Sequence, residues 1–353
     1  MLKNYSELKK KHDLENMFNA INGFSVQIQD SVTQMKNWSP VNGPENIRNI
    51  LILGMGGSAI GGDIARVILQ SECEVPISVN RSYNIPAWVN EQTLVIASSY
   101  SGNTEETLSG LDQCIARNAQ IIAMTTGGRV GEIALENKFD VIPMVGGLQP
   151  RAALGYSFTL LLMALIKLGF GHHDLIHQLE VAVNKLEVLS KSLKNFDEDN
   201  YAINISEKIY ESIPVIYGSE DLTWVAALRF RGQLAENSKM MAFHHHIPEH
   251  NHNEIEGWNS YPELLKKLSI IWLPDQQDHP RSLARMKISR ELLSDLPKSQ
   301  INITSDGSSP LVRLLLLIHT IDWISYYTAL LNETDPTPVI KIMSLKNEMS
   351  KIV

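Results

Sequence analysis

LILGMGGSAIGGD at residues 51–63 and IASSYSGNTEET at residues 96–107 share one plan. In each, an apolar run (50–53 and 94–97) ends in glycine and hydroxyl residues and then opens a helical pattern, which reads as strand, tight turn and helix N-terminus. Such a turn suits an anion. Free backbone N–H groups and the positive end of the helix dipole favour negative charge, and small hydroxyls add hydrogen bonds without crowding it. In the second turn, capping by Ser101 or Asn103 is the plainer alternative. Two such turns ending nearby strands argue against capping alone, because open parallel sheets bind ligands at the carboxyl ends of their strands. The pair therefore predicts one shared monophosphate site.

The glycine order narrows the ligand. Gly54, Gly56, Gly57, Gly61 and Gly62 superficially suggest a dinucleotide fingerprint, but Ser58 supplies a hydroxyl where a Rossmann loop relies on backbone approach. No G-x-x-x-x-G-K with a trailing Ser or Thr follows, which argues against nucleotide hydrolysis.

Outward from these turns, a helical preface (13–38) and a Pro/Asn/Gly linker (39–45) precede β-like runs at 50–53, 75–79, 94–97, 120–125 and 140–143. Helical patterns separate most of them, and alternation of this kind predicts an α/β fold with a doubly wound parallel sheet. Residues 152–193 turn mainly helical, and a second series then begins with runs at 214–217, 268–273 and 300–304. The expected organisation is a helical preface over 1–45, a first subdomain over 46–155 holding the phosphate cradles, and a second over 156–353 ending in C-terminal helices. VIYGSEDLTWVAAL at 215–228 echoes the first cradle, either as an internal duplication or by chance. Its Glu220 and Asp221 would oppose a bound phosphate, so a duplicated cradle would have lost that role.

A chain of 353 residues is long enough for two domains, and 44% apolar residues place it among globular proteins. A net charge of −8 gives a general nucleic-acid surface no support, whereas local donors can still hold a small anion. Cys73 and Cys114 cannot form a disulfide framework and suit a reducing cytosol, with a single bridge left open. The start, MLKNYSELKKKHDLENM, lacks the apolar core of a signal peptide. The apolar patch at 157–168 is too short to span a bilayer and predicts a buried helix. A cytoplasmic protein without nucleic-acid or membrane partners is expected.

The densest titratable group lies downstream of the second glycine turn. Glu236 ends a helical run in QLAENSK, and His252 follows in PEHNHNEIEGW. Carboxylate and imidazole commonly move protons together at neutral pH. Taken singly they read as a surface charge and a loop residue. Asn237, Asn251, Asn253 and Glu254 favour the functional reading, since so many polar groups are costly to bury outside a network. His244, His245 and His246 invite a metal, but contiguous side chains converge poorly on one ion and the spacing fits no H-E-x-x-H or finger pattern. They read as a solvated loop, and no metal is expected. Arg151, in GGLQPRAALGYS, follows the last strand of the first sheet and reads either as a cation near the cradles or as a surface helix-start residue. Lys346 reads by residue type as a solvent-facing lysine on a helix.

GMGGSAIGGD, SSYSGNTEET, PRAALGY, ENSK, PEHNHNEIEGW and DPTPVIKIMSLK together resemble the bifunctional phosphoglucose/phosphomannose isomerases of the sugar isomerase (SIS) superfamily, over about residues 50–346. The cradles alone are shared with sugar-phosphate regulators; ENSK followed by NHNEI is far more specific. The resemblance implies two SIS-type subdomains and a homodimer with the active site at the subunit interface. It implies that Ser58, Ser99, Ser101 and Thr104 bind the sugar phosphate, with Gly57 allowing close backbone approach. It implies that Glu236 shuttles a proton between C1 and C2, and that His252, from the neighbouring subunit, helps open the ring. Arg151 would stand beside the enediolate, and Lys346 on the ring-oxygen side. The implied activity is aldose-ketose isomerisation of glucose 6-phosphate and mannose 6-phosphate with fructose 6-phosphate, without cofactor or metal. The alternative is a SIS-type sensor that binds sugar phosphate without turnover, although no helix-turn-helix with a basic recognition helix is evident. An isomerase for another phosphosugar would differ only in pocket shape.

Overall fold

Strands too apolar to face water on either side must be covered on both faces, and helices between parallel strands do this. The computed structural model describes residues 4–352. It begins with α1 (Tyr5–His12), α2 (Met17–Asn22) and α3 (Phe24–Met35), where the sequence predicts one helical preface over 13–38. The breaks have local causes. The Asp13 carboxylate accepts the N–H groups of Met17 (2.6 Å) and Phe18 (3.0 Å), so it closes the start of α2 instead of lying inside a helix. Gly23 then separates α2 from α3.

The chain divides into two compact units. One comprises Asn22–Val188 and Asp306–Leu316; the other comprises the described residues before Asn22, Leu189–Ser305 and those from Leu317 onward. The first unit holds β1 (Asn49–Leu53), β2 (Ile77–Asn80), β3 (Thr93–Ser99), β4 (Gln120–Thr125) and β5 (Asp140–Pro143), all parallel, in the order β2-β1-β3-β4-β5. Leu51, Leu53, Val95, Ala97, Ile121 and Ala123 line one face and pack with Leu111 and Cys114 of α5 (Glu105–Ala116) and Val130 and Ile133 of α6 (Gly128–Glu136). The other face meets α4 (Gly56–Leu69), whose Gly62 lies against Ile52 and Val79. Helices on both faces make the sheet doubly wound, as predicted. The apolar patch at 157–168 falls in α7 (Leu154–Lys167), where every residue but Lys167 is buried. α8 (Asp174–Leu193) follows.

The other unit contains α9 (Tyr201–Ile209), β6 (Ile213–Ser219), α10 (Trp224–Glu236), β7 (Phe243–Ile247), α11 (Pro262–Leu265), β8 (Leu268–Leu273), α12 (Pro280–Leu292) and β9 (Ser299–Asn302). Its parallel sheet runs β7-β6-β8-β9, the same order as the first four strands of the first sheet. This repeat supports the duplication reading of residues 215–228.

One expectation is overturned. His244, His245 and His246 form an edge strand, β7, in register with β6 from Val215↔Phe243 to Ser219↔Ile247, and are not a solvated loop. The pairing is made by backbone groups, so it does not need β-prone side chains; three adjacent imidazoles hide the alternation that would have announced it.

The chain ends in α13 (Pro310–Leu331) and α14 (Ile340–Met349). α13 is long and apolar enough to cross a membrane, yet its most apolar window is entirely buried. In the unit it enters at Leu317, its Trp323, Tyr326 and Tyr327 pack edge-on or tilted against Phe18, Phe196 and Tyr5, which is core packing.

Candidate functional site

The strand order of the first sheet reverses between β1 and β3, and the carboxyl ends of those strands are where an open sheet takes its ligand. Both predicted cradles stand there. The Leu53↔Ala97 register brings Gly54 beside the second turn, so that a Cβ built on Gly54 would lie 3.1 Å from the Ser98 carbonyl and 3.2 Å from the Ser58 Cβ. Met55 and Thr104 stand at the N-caps of α4 and α5, and neither caps its helix with a side chain. Neither cap side chain therefore competes with an anion for the leading N–H groups.

The capping alternative for the second turn is corrected. Neither Ser101 nor Asn103 caps α5. The Asn103 side-chain oxygen instead accepts the Arg129 N–H (3.0 Å) in the first turn of α6, and the Ser101 Oγ accepts the Asn103 N–H (3.3 Å). The Ser99 hydroxyl donates to Thr104 Oγ1 (3.1 Å). Ser58 and Ser99 are buried, Thr104 is half-buried and Ser101 is exposed. Gly102 makes this packing possible. Its φ is +70°, and a Cβ there would overlap the Gly127 carbonyl. Gly102→Ala is therefore expected to destabilise the first unit by about 2 kcal/mol and weaken sugar-phosphate binding. Thermal unfolding and a binding titration check both, and a variant equal to wild type in both would contradict this account of the turn.

Arg151 lies in a 3-10 turn over Pro150–Ala152 and is 4% exposed, which overturns the surface reading. The turn is held from α3, where Gln27 donates to the Ala152 carbonyl (2.8 Å) and accepts the Gly155 N–H (3.0 Å). A Cβ on Gly57 would lie 2.7 Å from the Pro150 carbonyl oxygen and 3.5 Å from the Arg151 nitrogen. The close backbone approach at Gly57 is thus made by the protein's own chain, which places Arg151 against the first turn of α4. Gly57, Ser58, Ser99, Ser101, Thr104 and Arg151 gather at one sheet edge.

The echoed turn after β6 is built differently. Thr223 Oγ1 accepts the Ser219 N–H (2.8 Å) and donates to the Leu273 carbonyl (2.5 Å), while Asp221 Oδ2 accepts from the Ser219 hydroxyl (3.1 Å) and the His279 N–H (2.9 Å). Its own side chains fill the space an anion would need. Nearby Asp278, 3% exposed, accepts the Asp275 N–H at 2.8 Å. Burial, with the Asp275 and Asp221 carboxylates adding to it, pushes the Asp278 carboxyl up to about 6. Because the folded value lies above the unfolded one, the stability linked to this group is complete below pH ~4 and is lost as pH rises through about 6. Asp278→Asn is expected to raise the unfolding midpoint at pH 8, by about 2 kcal/mol in stability, and to leave it unchanged at pH 4. An equal shift at both pH values would count against the assignment.

Glu236 is the last residue of α10 and is half-buried. A ladder of polar contacts to α13 fixes it. Arg229 donates to both oxygens of Asp322 (3.0 and 2.6 Å), and Gln233 donates to Asp322 Oδ1 (2.9 Å). One turn on, Asn237 Nδ2 donates to Ser325 Oγ (3.0 Å), the Ser238 hydroxyl donates to the Ser325 carbonyl (2.6 Å), and Asn332 donates to the Ser238 carbonyl (2.9 Å). Lys239, at φ +53°, ends the helix and its Nζ donates to the Glu236 carbonyl (2.6 Å). In ENSK, Glu236 is thus followed by three residues that anchor the end of its helix.

His252 is exposed at the end of a 3-10 turn over Glu249–His252. The expected polar network exists, but it fixes the loop around the imidazole. Asn253 donates to Glu249 Oε1 (2.8 Å) and accepts the Glu254 N–H (2.6 Å), and Asn251 donates to the Ser289 hydroxyl (2.7 Å). Lys346 is exposed on α14, a helix with no buried residue. On β7, His244 and His246 share one face and His245 the other; His246 Nε2 lies 3.4 Å from Glu220 Oε2. Burial, with Arg231 and the neighbouring imidazoles, pulls His244 down to about 4, so it is neutral at pH 7. Among the described residues no group of three or more His, Cys, Asp or Glu side chains is placed to hold a metal ion, and Cys73 and Cys114 are free thiols.

Residues 45–137 match the family model described as SIS domain, and residues 198–349 match the one described as bacterial phospho-glucose isomerase C-terminal SIS domain. The chain is similar to a bifunctional phosphoglucose/phosphomannose isomerase of Caldicellulosiruptor bescii, 44% identical over 95% of this chain and 99% of that one. It is also similar to a protein of the same name from Aquifex aeolicus, 34% identical over 96% of this chain and 99% of that one. Among solved structures, the C-terminal domain of glucosamine-fructose-6-phosphate aminotransferase from Francisella tularensis gives a TM-score of 0.71 at 16% identity, over 91% of this chain and 98% of that one. This last likeness concerns the fold alone.

Proposed function

The chain belongs to the bifunctional phosphoglucose/phosphomannose isomerase family, and on that premise we propose that it interconverts glucose 6-phosphate and mannose 6-phosphate with fructose 6-phosphate. The observation that carries the reading is the placing of Glu236 as the last residue of α10, a helix end anchored by contacts from Asn237, Ser238 and Lys239. A protein that only sensed sugar phosphates would need the cradles, and would have no use for a carboxylate fixed in this way.

In this reading Gly57, Ser58, Ser99, Ser101 and Thr104 hold the 6-phosphate, which sets the distance from the anchor to C1 and C2. Glu236 takes the proton from C2 of the open-chain aldose, giving a cis-enediol(ate), and returns it to C1. One proton leaves C2 and one is added at C1, so C2 is oxidised as C1 is reduced and no outside oxidant or reductant is needed; while it rests on Glu236 the proton can exchange with solvent. The Arg151 guanidinium stabilises the charge that develops on oxygen. His252, from a neighbouring subunit, assists ring opening, and Lys346 stands on the ring-oxygen side.

A homodimer with a shared site belongs to the same proposal. α14 exposes Ile340, Ile342, Met343 and Leu345 and buries none of its residues. A ten-residue helix is marginal by itself in water, so a covering surface is called for, and a second copy of this chain supplies one. Equilibrium sedimentation tests this, and a monomer at assay concentration would refute it. The two free thiols suit a reducing, cytoplasmic location.

The activity is tested by a coupled assay with glucose 6-phosphate and mannose 6-phosphate, run with and without a chelator. Both sugars are expected to give fructose 6-phosphate, at rates the chelator leaves unchanged. Binding of either sugar without turnover would replace the isomerase reading with a sensor.

A further inference from the structure

Three side chains bracketing His252 in the sequence converge on one tyrosine of the neighbouring strand. Tyr217, on β6, is fully buried. Its hydroxyl donates to Glu254 Oε1 at 2.5 Å and accepts the Trp258 Nε1–H at 3.0 Å. The His250 ring lies 4.4 Å from the Tyr217 ring, centroid to centroid, and Trp272 packs on the same tyrosine at 4.9 Å. The loop from His250 to Trp258 is therefore tied to a central strand at two places, before and after His252.

We infer that Tyr217 is a positioning residue for His252, fixing the loop from which the imidazole reaches the sugar ring. The inference builds on the ring-opening role proposed above for His252. Three physical points support it. A buried phenol must find partners for both its O–H and its lone pair, and Tyr217 finds both in the loop. Burial and the adjacent Glu254 carboxylate raise the pKa of the phenol well above its ordinary value, so it stays protonated and remains a donor. The hydrogen bond to an ionised carboxylate is of the strong, directional kind that fixes geometry as well as contributing stability.

Phenylalanine fills the same volume and keeps the ring contacts with His250 and Trp272, so Tyr217→Phe removes only the two hydrogen bonds. A misplacement of about an ångström costs reacting groups one to two orders of magnitude in rate. Tyr217→Phe is accordingly expected to lower kcat for glucose 6-phosphate by about tenfold while KM changes by less than about twofold. Glu254→Ala breaks the same bond from the loop side and should reproduce the loss, whereas Glu254→Gln, which still accepts from the phenol, should retain most of the activity.

The deciding measurement is a double-mutant cycle with His252→Ala, in which residual turnover is followed by incorporation of solvent deuterium into the product. If Tyr217 acts through His252, Tyr217→Phe changes kcat by less than about twofold once His252 is absent. An equal loss in both backgrounds, or no loss in the wild-type background, overturns the positioning role and leaves the reading of His252 intact. Wild-type turnover in His252→Ala alone overturns the role of His252 itself, and the inference with it. Circular dichroism of each variant shows whether it is folded, and the Glu254 pair decides the question should Tyr217→Phe fail to fold.

Discussion

Glu236→Gln is expected to lower kcat for glucose 6-phosphate by about a thousandfold and to leave sugar-phosphate binding within a few-fold of wild type. Glutamine has the shape of glutamate and keeps its hydrogen-bonding oxygen, but it cannot accept the C2 proton. The contacts that fix the end of α10 come from Asn237, Ser238 and Lys239, and the substitution touches none of them. The unfolding midpoint should therefore stay where it is. On the reading proposed above, binding should survive because Ser58, Ser99, Ser101 and Thr104 hold the phosphate and the substitution alters none of them. Two measurements decide the matter: turnover in the coupled assay, and exchange of the C2 proton with solvent deuterium. Loss of both with binding retained is the expected pattern. Retained turnover would remove Glu236 from the role of base, and loss of binding would mean that the carboxylate holds the substrate in place.

The difference between what sequence could and could not disclose follows from how local each signal is. Two strand-turn-helix passages are local patterns, and the sheet edge they predict is the edge observed, with Gly54 beside Ser98. Even there a local reading misassigned a partner: Asn103 reaches across to Arg129 in α6, a contact 26 positions away that no cap pattern contains. Gly57 shows the same limit. Its sequence context implies a close approach, but only the fold reveals that the approaching chain is Pro150–Arg151. Strand β7 was hidden for a different reason. Its side chains are all imidazoles at the centre, and edge pairing is made by the backbone, which residue types do not report. For Arg151 the sequence allows both a cation near the cradles and a surface helix-start residue, and only the turn around it, which leaves it 4% exposed, removes the second.

The strongest hidden feature is Asp322, and its removal carries the second large prediction. α13 is mostly apolar, and its single Asp has no motif to explain it. In the fold it is 5% exposed and accepts from Arg229 twice and from Gln233 once, which ties α10 to the core helix one turn before Glu236. Burial raises the Asp322 carboxyl overall, with Arg229 and Gln233 offsetting part of the rise. Asp322→Ala takes the bidentate partner from a guanidinium that is itself 4% exposed, and weakening the pairing of a buried charge is among the costlier defects in a core. A loss of about 4 kcal/mol is expected, which for a unit of this size is a fall of about 10 °C in the unfolding midpoint. The companion experiment separates the pair's stability from its placement. Replacing both partners by apolar residues, Arg229→Met with Asp322→Leu, should recover most of the lost stability, since buried pairs are commonly worth no more than good apolar packing. Kcat should recover only in part, because Gln233 has lost its acceptor and the last turn of α10 is then held by Asn237, Ser238 and Lys239 alone. A double variant that regains both would show that the ladder stabilises the helix without positioning its end. One that regains neither would show that Arg229 and Asp322 have partners beyond each other that the core cannot do without.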